Sequence, residues 1–404
     1  MSRLNTVTLV ALIVAYALGP LATQIITPAV PFVHRDLGVP MSTAQALISL
    51  AFVAIAAATL VYGPLSDRYG RRPVILLGTL LFCIGSLLAA TAPGAGWLLA
   101  GRVLQSAGSA AALSLTRTVI HDVYGRQHSG RILAQLTTVM VFVPMLAPML
   151  GGALIDHVGW RAVFGVCFVF GIVALSLLSL HLTESRPASS RAPRIRDAIA
   201  SYRDLLADPE YRAPALHFAW VMAAVFATQA AVPYLLVEVL GGTATEYGLW
   251  FGLACVAYVA GNQFTARWGH RFEPRQLIRA SSLGCIVVAV AGTLASHVFE
   301  LSALVLFVPM IALYFFAAVG IAPVQAEAVA AQPDRAGAAS GLLSAVQMIV
   351  GAVTVQAIGY SHDGTAHPLF LGLVFCSVAA FACFVARRPA PVDWQCEEGA
   401  WPNR

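Results

Sequence analysis

The chain has 404 residues, of which 59% are hydrophobic and only 11% are charged. This composition is too apolar for a soluble domain of such length, and it indicates a polytopic membrane protein. The formal net charge is +5, and all 24 basic residues are arginines because the sequence has no lysine. Since the arginines fall in short polar segments rather than on one continuous face, we expect no nucleic-acid partner.

The sequence carries no pattern typical of a metal centre or of an enzyme. Its seven cysteines include no CxxC pair and do not suggest a disulfide framework. The HExxH, GxxxxGK and GxSxG patterns of zinc proteases, nucleotide-binding loops and serine hydrolases are absent from it. We therefore expect no bound metal, no cofactor and no enzymatic activity.

Twelve segments are long and apolar enough to cross a bilayer, which takes roughly 20 residues of helix. They lie near residues 7–30, 43–63, 74–91, 97–120, 131–154, 163–182, 213–238, 247–266, 277–296, 300–325, 337–359 and 367–386. The longest polar interval, Glu184 to Arg212, separates six predicted helices from six. We predict an all-α membrane protein with a six-helix half at 1–183, a linker at 184–212, a second half at 213–388 and a tail at 389–404.

The distribution of arginines predicts the orientation of these helices. With a cytoplasmic N-terminus, the loops outside the cell would hold only Arg35 and Arg161, and the loops inside would hold most of the others. Short cytoplasmic loops are enriched in basic residues. We therefore predict that both termini and the linker are cytoplasmic.

The most distinctive polar stretch is YGPLSDRYGRRP at residues 62–73. Its Gly63, Pro64 and Gly70 predict a tight turn after the second helix, and Pro73 is suited to open the third. Its charged residues are Asp67, Arg68, Arg71 and Arg72. Such a cluster is either a topogenic signal or a set of charges that pair between helices. A degenerate basic segment at 267–275 occupies the corresponding place in the second half, which is typical of a duplicated six-helix unit.

The run GPLSDRYGRRPVILLG resembles the loop signature between the second and third helices of the major facilitator superfamily. This resemblance implies two pseudo-symmetric six-helix halves, with the substrate bound between them near the midplane. It also implies a bacterial inner-membrane protein, and we expect a monomer. The residues of the implied latch, which locks and releases the halves, are Gly63, Asp67, Arg68, Gly70, Arg71 and Arg72.

The predicted fourth helix contains a polar stripe with Arg102 and Gln105. Arg102 either reaches to the outer interface or faces the bundle interior. The segment RVLQSAGSAA resembles the fourth-helix motif of the superfamily, whose arginine is tied to proton coupling. Arg117 and Asp122, near the inner end, are further coupling candidates, although they would also make an interfacial pair.

The predicted fifth helix contains Pro148, Gly151 and Gly152, which reduce side-chain bulk on one face and allow a neighbouring helix to approach. A plain packing interface is one interpretation. The segments APMLGG and GWRAVF also resemble the fifth-helix signature of the drug:proton antiporter branch, which points to export rather than uptake.

Over residues 10–385 the sequence resembles one subfamily, the bicyclomycin- and phenicol-type multidrug exporters. That subfamily usually has an aspartate in the first helix where this chain has Gln24, and glutamine cannot carry a proton. Glu238, near the outer end of the seventh helix, is the best remaining acid for proton coupling. The alternative is an exposed carboxylate at the outer rim.

Several amides fall in apolar walls of the predicted bundle. The candidates for the substrate cavity are Gln24, Gln105, Gln229, Tyr234 and Gln347. Amides without a buried acid suit neutral or weakly polar ligands. We therefore expect proton-driven export of small neutral drugs such as antibiotics. Two alternatives remain, namely export of an amino acid or sugar derivative and a membrane-embedded enzyme or sensor.

Overall fold

The computed structural model describes residues 6–128, 130–186 and 195–386, and within these ranges the chain is built from helices joined by short turns. The α-helices are α1 (Thr6–Ile25), α2 (Val30–Leu37), α3 (Met41–Tyr69), α4 (Arg71–Ala90), α5 (Ala95–His128), α6 (Gly130–His157), α7 (Arg161–His181), α8 (Ile195–Ala207), α9 (Pro209–Tyr234), α10 (Ala244–Trp268), α11 (Pro274–Val298), α12 (Ala303–Ala330), α13 (Ala336–Tyr360) and α14 (His367–Val385). A π-helical turn, Leu235–Val239, extends α9. The predicted all-α class is confirmed.

Each of the twelve predicted segments coincides with one long helix of this series. Within the described residues, ten helical segments are long and apolar enough to cross a membrane. The other two long helices are α5, whose 34 residues include a non-helical break at Gly125, and α10, which has 25 residues. They are less apolar because α5 contains Arg102 and Gln105 and α10 contains Asn262. The short helix α8 lies inside the predicted linker, whose residues 187–194 are outside the described ranges, as is the predicted tail.

The predicted turn at Gly63 and Pro64 is wrong, because α3 continues through both residues to Tyr69. A proline removes one backbone donor, but membrane helices tolerate it where nearby polar groups bond the freed backbone. Here the Ser66 hydroxyl donates to the Gly63 carbonyl at 2.8 Å. The chain turns only at Gly70, whose φ of +102° favours glycine.

Two large hydrophobic cores correspond to the two halves of the chain. One core is built mainly from α9 to α14, and the other from α1 to α7. The halves meet where α3 packs against α13 and α6 packs against α10. Residues of α3 such as Ile48 and Phe52 belong to the core of the second half, and the Phe52 and Phe226 rings are 4.5 Å apart.

The bundle has two ends, which we name by what lies there. The terminal end carries Thr6, Val385 and the turn at Gly70. The closed end carries the opposite turns, at 38–40, 158–160, 240–243 and 361–366. At the closed end, Ser49 on α3 donates to Gln356 on α13 at 2.7 Å, and Gln356 donates to the Ser42 carbonyl at 3.0 Å. These bonds join the two halves at this end of the bundle.

Candidate functional site: a latch, a buried arginine and a gate

The predicted latch residues lie at the terminal end, where Arg71, the first residue of α4, makes most of their contacts. Its side chain is almost buried, with 8% of the residue exposed. The guanidinium donates to Ser66 and Asp67 on α3, each at 2.5 Å, and to Asp122 on α5 at 3.2 Å. One arginine therefore ties three helices together with two carboxylates. If either partner is removed, the remaining charge is left unpaired in a partly buried place, and this destabilises the fold.

Glu184, just after α7, holds the start of α4. Its carboxylate accepts from the backbone N–H groups of Arg71 at 2.8 Å and Arg72 at 3.2 Å. Those N–H groups are the free donors of a helix N-terminus, where a negative charge is stabilising. A Cβ at Gly70 would lie 2.5 Å from a Glu184 oxygen, so the turn needs glycine for space as well as for its positive φ.

The charge of Glu184 is favoured by this backbone cradle. Burial raises the pKa of the carboxyl group. Hydrogen bonds from four backbone N–H groups together lower the pKa by more than burial raises it, so the net pKa lies below its usual value. These N–H groups belong to Arg186, Arg71, Arg72 and Ser185. Glu184 therefore remains ionised, and continues to cap α4, at a pH where an ordinary glutamate is protonated.

The remaining predicted latch residues have lesser roles in this arrangement. Arg72 donates to the Ser179 carbonyl of α7 at 2.9 Å. The guanidinium carbon of Arg68 lies 5.2 Å from the centre of the Tyr69 ring, a cation–π contact. A Cβ added to Gly63 meets no described atom within 4 Å, so Gly63 makes no close helix contact.

Arg102 on α5 is buried, with 1% of its surface exposed, so it does not extend to the interface. Its Nε donates to the Leu47 carbonyl at 3.0 Å and its Nη1 to Gln105 Oε1 at 2.8 Å. Gln105 in turn donates to the Ser86 hydroxyl at 2.9 Å. The network joins α3, α4 and α5 within the first half. Gln105 is fully enclosed there, so its predicted place in the substrate cavity does not hold in this conformation.

Arg117 and Asp122 have different partners, which corrects the predicted pairing between them. Asp122 belongs to the latch through Arg71. Arg117 donates to the Tyr16 hydroxyl of α1 at 2.8 Å, and its guanidinium carbon lies 5.8 Å from the centre of that ring. Arg117 is exposed although it lies within a long helix.

The other predicted cavity amides occupy different environments. Gln24 on α1 has its Oε1 buried, and the described residues give that oxygen no hydrogen-bond donor. Gln229 on α9 is buried and donates to the Tyr314 hydroxyl at 3.2 Å. Gln347 on α13 is half-buried. Its neighbour Met348 packs against the cores of both halves, which places this part of α13 between them.

Glu238 lies at the closed end, in the π-helical turn after α9. Its Oε1 is 2.8 Å from Arg35 Nε on α2, so the pair spans the two halves. The side chain of Arg35 is 54% exposed and that of Glu238 is 19% exposed. The contact is an ion pair without the alignment of a hydrogen bond. Glu238 is thus neither in mid-span nor a free rim carboxylate, because it is paired with Arg35 of the other half.

Aromatic and imidazole rings surround this ion pair. Tyr234, one turn before Glu238, lies between two histidines, with ring centres 6.2 Å from His34 and 4.1 Å from His362. The predicted cavity residue Tyr234 therefore contacts the closed end in this conformation. Burial lowers the pKa of His362, and the nearby His34 lowers it as well. The negative charge of Asp363 raises the pKa, but the net value is below the usual one. The His362 ring is therefore uncharged at neutral pH.

The glycines of α6 form the contact surface that the sequence predicted. A Cβ at Gly151 would overlap the Ile25 carbonyl of α1, and one at Gly152 would overlap the Ala244 carbonyl of α10. One turn further on, Asp156 accepts from the N–H groups of Ala244 at 3.2 Å and Thr245 at 2.8 Å. Asp156 therefore caps α10 from the other half of the molecule.

Several residues of these sites were not predicted as site residues. Glu184, Asp156, Gln356 and Arg35 all act on partners more than 85 positions away in the chain. Only Arg35 was marked by the sequence, because it is one of just two arginines in the loops predicted to lie outside the cell. For the other three, polar residues at helix ends are too common to indicate a specific partner.

Comparison with known proteins agrees with this architecture. A model of the Major Facilitator Superfamily matches residues 12–355. The chain is 30% identical to the chloramphenicol resistance protein of Pseudomonas aeruginosa, over 85% of this chain and 80% of the relative. It is 29% identical to multidrug resistance protein D of Escherichia coli, over 85% of this chain and 86% of the relative.

Among solved structures, a bacterial homologue of the human lysosomal transporter Spinster, described as inward-facing and unoccupied, superimposes with a TM-score of 0.72 at 17% identity. The superposition covers 94% of this chain and 93% of the other. The fold has two helical halves, each built around its own hydrophobic core. The chain belongs to the Major Facilitator Superfamily, and it is a multi-pass membrane transporter rather than an enzyme. The predicted resemblance to drug-resistance exporters is confirmed.

Proposed function

We propose that this protein exports small neutral or weakly polar drugs, such as antibiotics, from the bacterial cytoplasm in exchange for protons. The relatives named for chloramphenicol and multidrug resistance support the direction and the substrate class. The observation that carries the proposal is Gln24. Its buried carbonyl oxygen receives no hydrogen bond from the described residues, and a buried acceptor of this kind is stabilised by a ligand that brings a donor.

The orientation of the protein in the membrane is proposed from the distribution of its arginines. Both termini and the linker lie in the cytoplasm, because arginines concentrate at the terminal end. With that orientation the closed end faces away from the cytoplasm. The Arg35–Glu238 pair and the Ser49–Gln356 bond then seal the exit route until substrate has bound. The transporter works as a monomer, since each half supplies the surface that the other half closes against.

Proton coupling is assigned to the charged residues of the seal and the latch. Glu238 is the titratable group of the seal, and its protonation removes the attraction to Arg35. Asp67 and Asp122 are the carboxylates of the latch, where Arg71 holds both. Arg102 is fixed by carbonyl oxygens in the first half and serves as a positioning residue between α3, α4 and α5. Arg117, exposed beside Tyr16, is a second cationic candidate for the proton path.

Transport into inverted membrane vesicles tests the function directly. Uptake of a chloramphenicol-type compound should require an imposed pH gradient, acidic inside the vesicle, and should stop when a protonophore is added. A Gly152→Leu variant, which wedges α6 from α10, is the matched control. Uptake of a dicationic dye but of no neutral compound would contradict the substrate class. Flux of an amino acid or sugar derivative alone would favour metabolite export.

The orientation has its own test, with single cysteines placed in a background from which the native cysteines have been removed. His270→Cys lies at the terminal end and Ser361→Cys at the closed end, and both positions are exposed. In intact cells an impermeant thiol reagent should label position 361 and not position 270. The opposite labelling would reverse the proposed topology.

A further inference from the structure

A groove lies between α11 and α14 at the terminal end, away from the latch and from the interface between the halves. It has a volume of about 310 Å³. Its lining residues are Arg275, Gln276, Arg279, Phe381, Phe384 and Val385. The arginines come from the first turns of α11, and the apolar residues come from the last turns of α14. The groove is therefore basic on one wall and apolar on the other.

The basic wall presents two guanidinium groups to the same space. Arg275 and Arg279 are four residues apart, so their side chains lie on one face of α11 with about 6 Å between the Cβ atoms. No ion pair joins either arginine to an acid among the described residues. The nearest acid in sequence, Glu273, is engaged in the capping box of α11 with Gln276.

The apolar wall is firmly placed and faces outward. The Phe381 and Phe384 ring centres are 6.2 Å apart, and Phe384 also contacts the buried His217 at 6.3 Å. Val385 is 62% exposed. Since α11 and α14 are both membrane-spanning segments, their ends at the terminal side lie at the level of the lipid head groups. An acyl chain can follow the phenylalanines while its head group meets the arginines.

We infer that this groove binds an anionic phospholipid, with the phosphate between Arg275 and Arg279 and the first acyl segment against Phe381 and Phe384. Arginine suits this ligand because its planar guanidinium matches phosphate oxygens in a two-bond geometry. Basic pockets between membrane helices on the cytoplasmic side recognise such head groups. A zwitterionic lipid fits less well, since its own cation would face two arginines. The inference does not depend on which substrate the transporter carries.

Lipid retention measured by native mass spectrometry tests the inference on the full chain. The protein is equilibrated with equal amounts of phosphatidylglycerol and phosphatidylcholine in mild detergent. We expect the wild-type protein to retain phosphatidylglycerol preferentially and Arg275→Gln/Arg279→Gln to bind it roughly 10- to 30-fold more weakly, at about 1 kcal/mol per arginine. The single variant Arg279→Gln changes an exposed residue and should show an intermediate loss.

The matched control is Arg267→Gln/Arg271→Gln. Both of these arginines are exposed at the same end of the bundle, but neither lines the groove. The control removes the same charge and should keep the preference for phosphatidylglycerol. An equal loss in both double variants would overturn the proposed site, because attraction would then come from the overall charge of this end. An unchanged preference in Arg275→Gln/Arg279→Gln would overturn it as well.

Two further experiments show whether the groove binds a lipid or only a simple anion. Phe381→Ser should weaken phosphatidylglycerol binding by about threefold or more, because it removes the surface that contacts the acyl chain. Inorganic phosphate at millimolar concentration should not raise the melting temperature of the lipid-free protein. A rise that disappears in Arg275→Gln/Arg279→Gln, together with unchanged lipid binding in Phe381→Ser, would identify an anion site and contradict a lipid site. Melting in pure phosphatidylcholine checks that every variant is folded.

Discussion

Arg35 and Glu238 form an ion pair, 2.8 Å between Nε and Oε1, that connects the first half of the molecule to the second at the closed end. The arginine side chain is more than half exposed, so solvent screening reduces its contribution to about 1 kcal/mol or less. A seal of this strength holds a resting conformation yet can be broken within a transport cycle. The pair is thus suited to bias an equilibrium rather than to lock it.

Glu238→Gln should shift the protein toward a conformation open at the closed end by about two- to fivefold, the effect of up to about 1 kcal/mol. The measurement is the labelling rate of a cysteine at Ser42, a residue of the seal whose carbonyl bonds to Gln356. Gradient-driven export should fall, while substrate exchange without a gradient should persist. The swap Arg35→Glu/Glu238→Arg should restore slow labelling. If Glu238→Gln exports normally under a pH gradient, the proton path runs through Asp67 or Asp122 instead.

Arg71→Gln should reduce transport more than any other single change in the latch. Its removal leaves the partly buried carboxylates of Asp67 and Asp122 without their shared cation, at a cost of about 1–3 kcal/mol. Substrate affinity should change little, because the latch is remote from Gln24. Transport rate and equilibrium binding are compared in the same preparation, with Arg68→Gln as the control. A parallel loss of binding and rate in Arg71→Gln would contradict a role in conformational exchange.

Asp67→Asn keeps the shape of the side chain and removes one of the two charges opposed to Arg71. It should slow transport less than Arg71→Gln does, because Asp122 still neutralises the guanidinium. Stopped-flow measurement of transport rates ranks the two variants. The reverse order would mean that Asp67 titrates during the cycle rather than only pairing with Arg71.

Glu184→Gln should lower the thermal stability of the purified protein at neutral pH, because a charged cap of α4 is lost, at about 1 kcal/mol. The folded-state pKa of Glu184 is depressed. Its contribution is therefore complete above the unfolded-state pKa and is lost as the pH falls through the folded-state pKa. The melting temperatures of wild type and Glu184→Gln should converge on acidification. A constant difference across the pH range would show that Glu184 acts without its charge.

The latch illustrates how far the sequence alone could be interpreted. The charged cluster and the glycine of its turn are contiguous, so residues 62–73 were sufficient to predict a turn at Gly70 with charged side chains close together. Glu184 is 113 positions from Arg71, and nothing local marks it as a cap for α4. The break predicted at Gly63 and Pro64 was wrong for a different reason. Helix propensity measured in water overstates the cost of these residues in a membrane helix, where leaving the helix would expose backbone groups to lipid.

Gln105 shows a second limit of sequence analysis. Its spacing from Arg102 correctly placed both side chains on one face of α5. The face was wrongly assigned to the substrate cavity, because it packs against neighbouring helices, and α5 contacts α1, α3 and α4. The spacing of polar residues does not show whether a helix face meets another helix or a cavity. The stripe turned out to be an internal network of the first half, completed by Ser86 and the Leu47 carbonyl.

Gly151→Leu and Gly152→Leu should each abolish export while the protein still reaches the membrane. The added side chains would overlap the backbone of α1 and α10, and overpacking of this kind costs typically 1–3 kcal/mol. Gly165→Leu on α7 is the matched control, since a Cβ there meets no described atom within 4 Å. Membrane fractionation and vesicle uptake are measured together. Full transport in both α6 variants would mean that the close contact is dispensable for the cycle.

Gln24→Leu separates a substrate-binding amide from a structural one. In the absence of substrate the Gln24 Oε1 is buried and accepts no hydrogen bond from the described residues, so leucine should leave the melting temperature unchanged or slightly higher. Substrate affinity should fall by about 5- to 10-fold, the effect of one hydrogen bond of about 1 kcal/mol. Gln105→Leu, the comparison, breaks bonds to Arg102 and Ser86 and should lower the melting temperature instead. A lower melting temperature with unchanged affinity in Gln24→Leu would assign that amide to packing and remove the main support for a neutral ligand at α1.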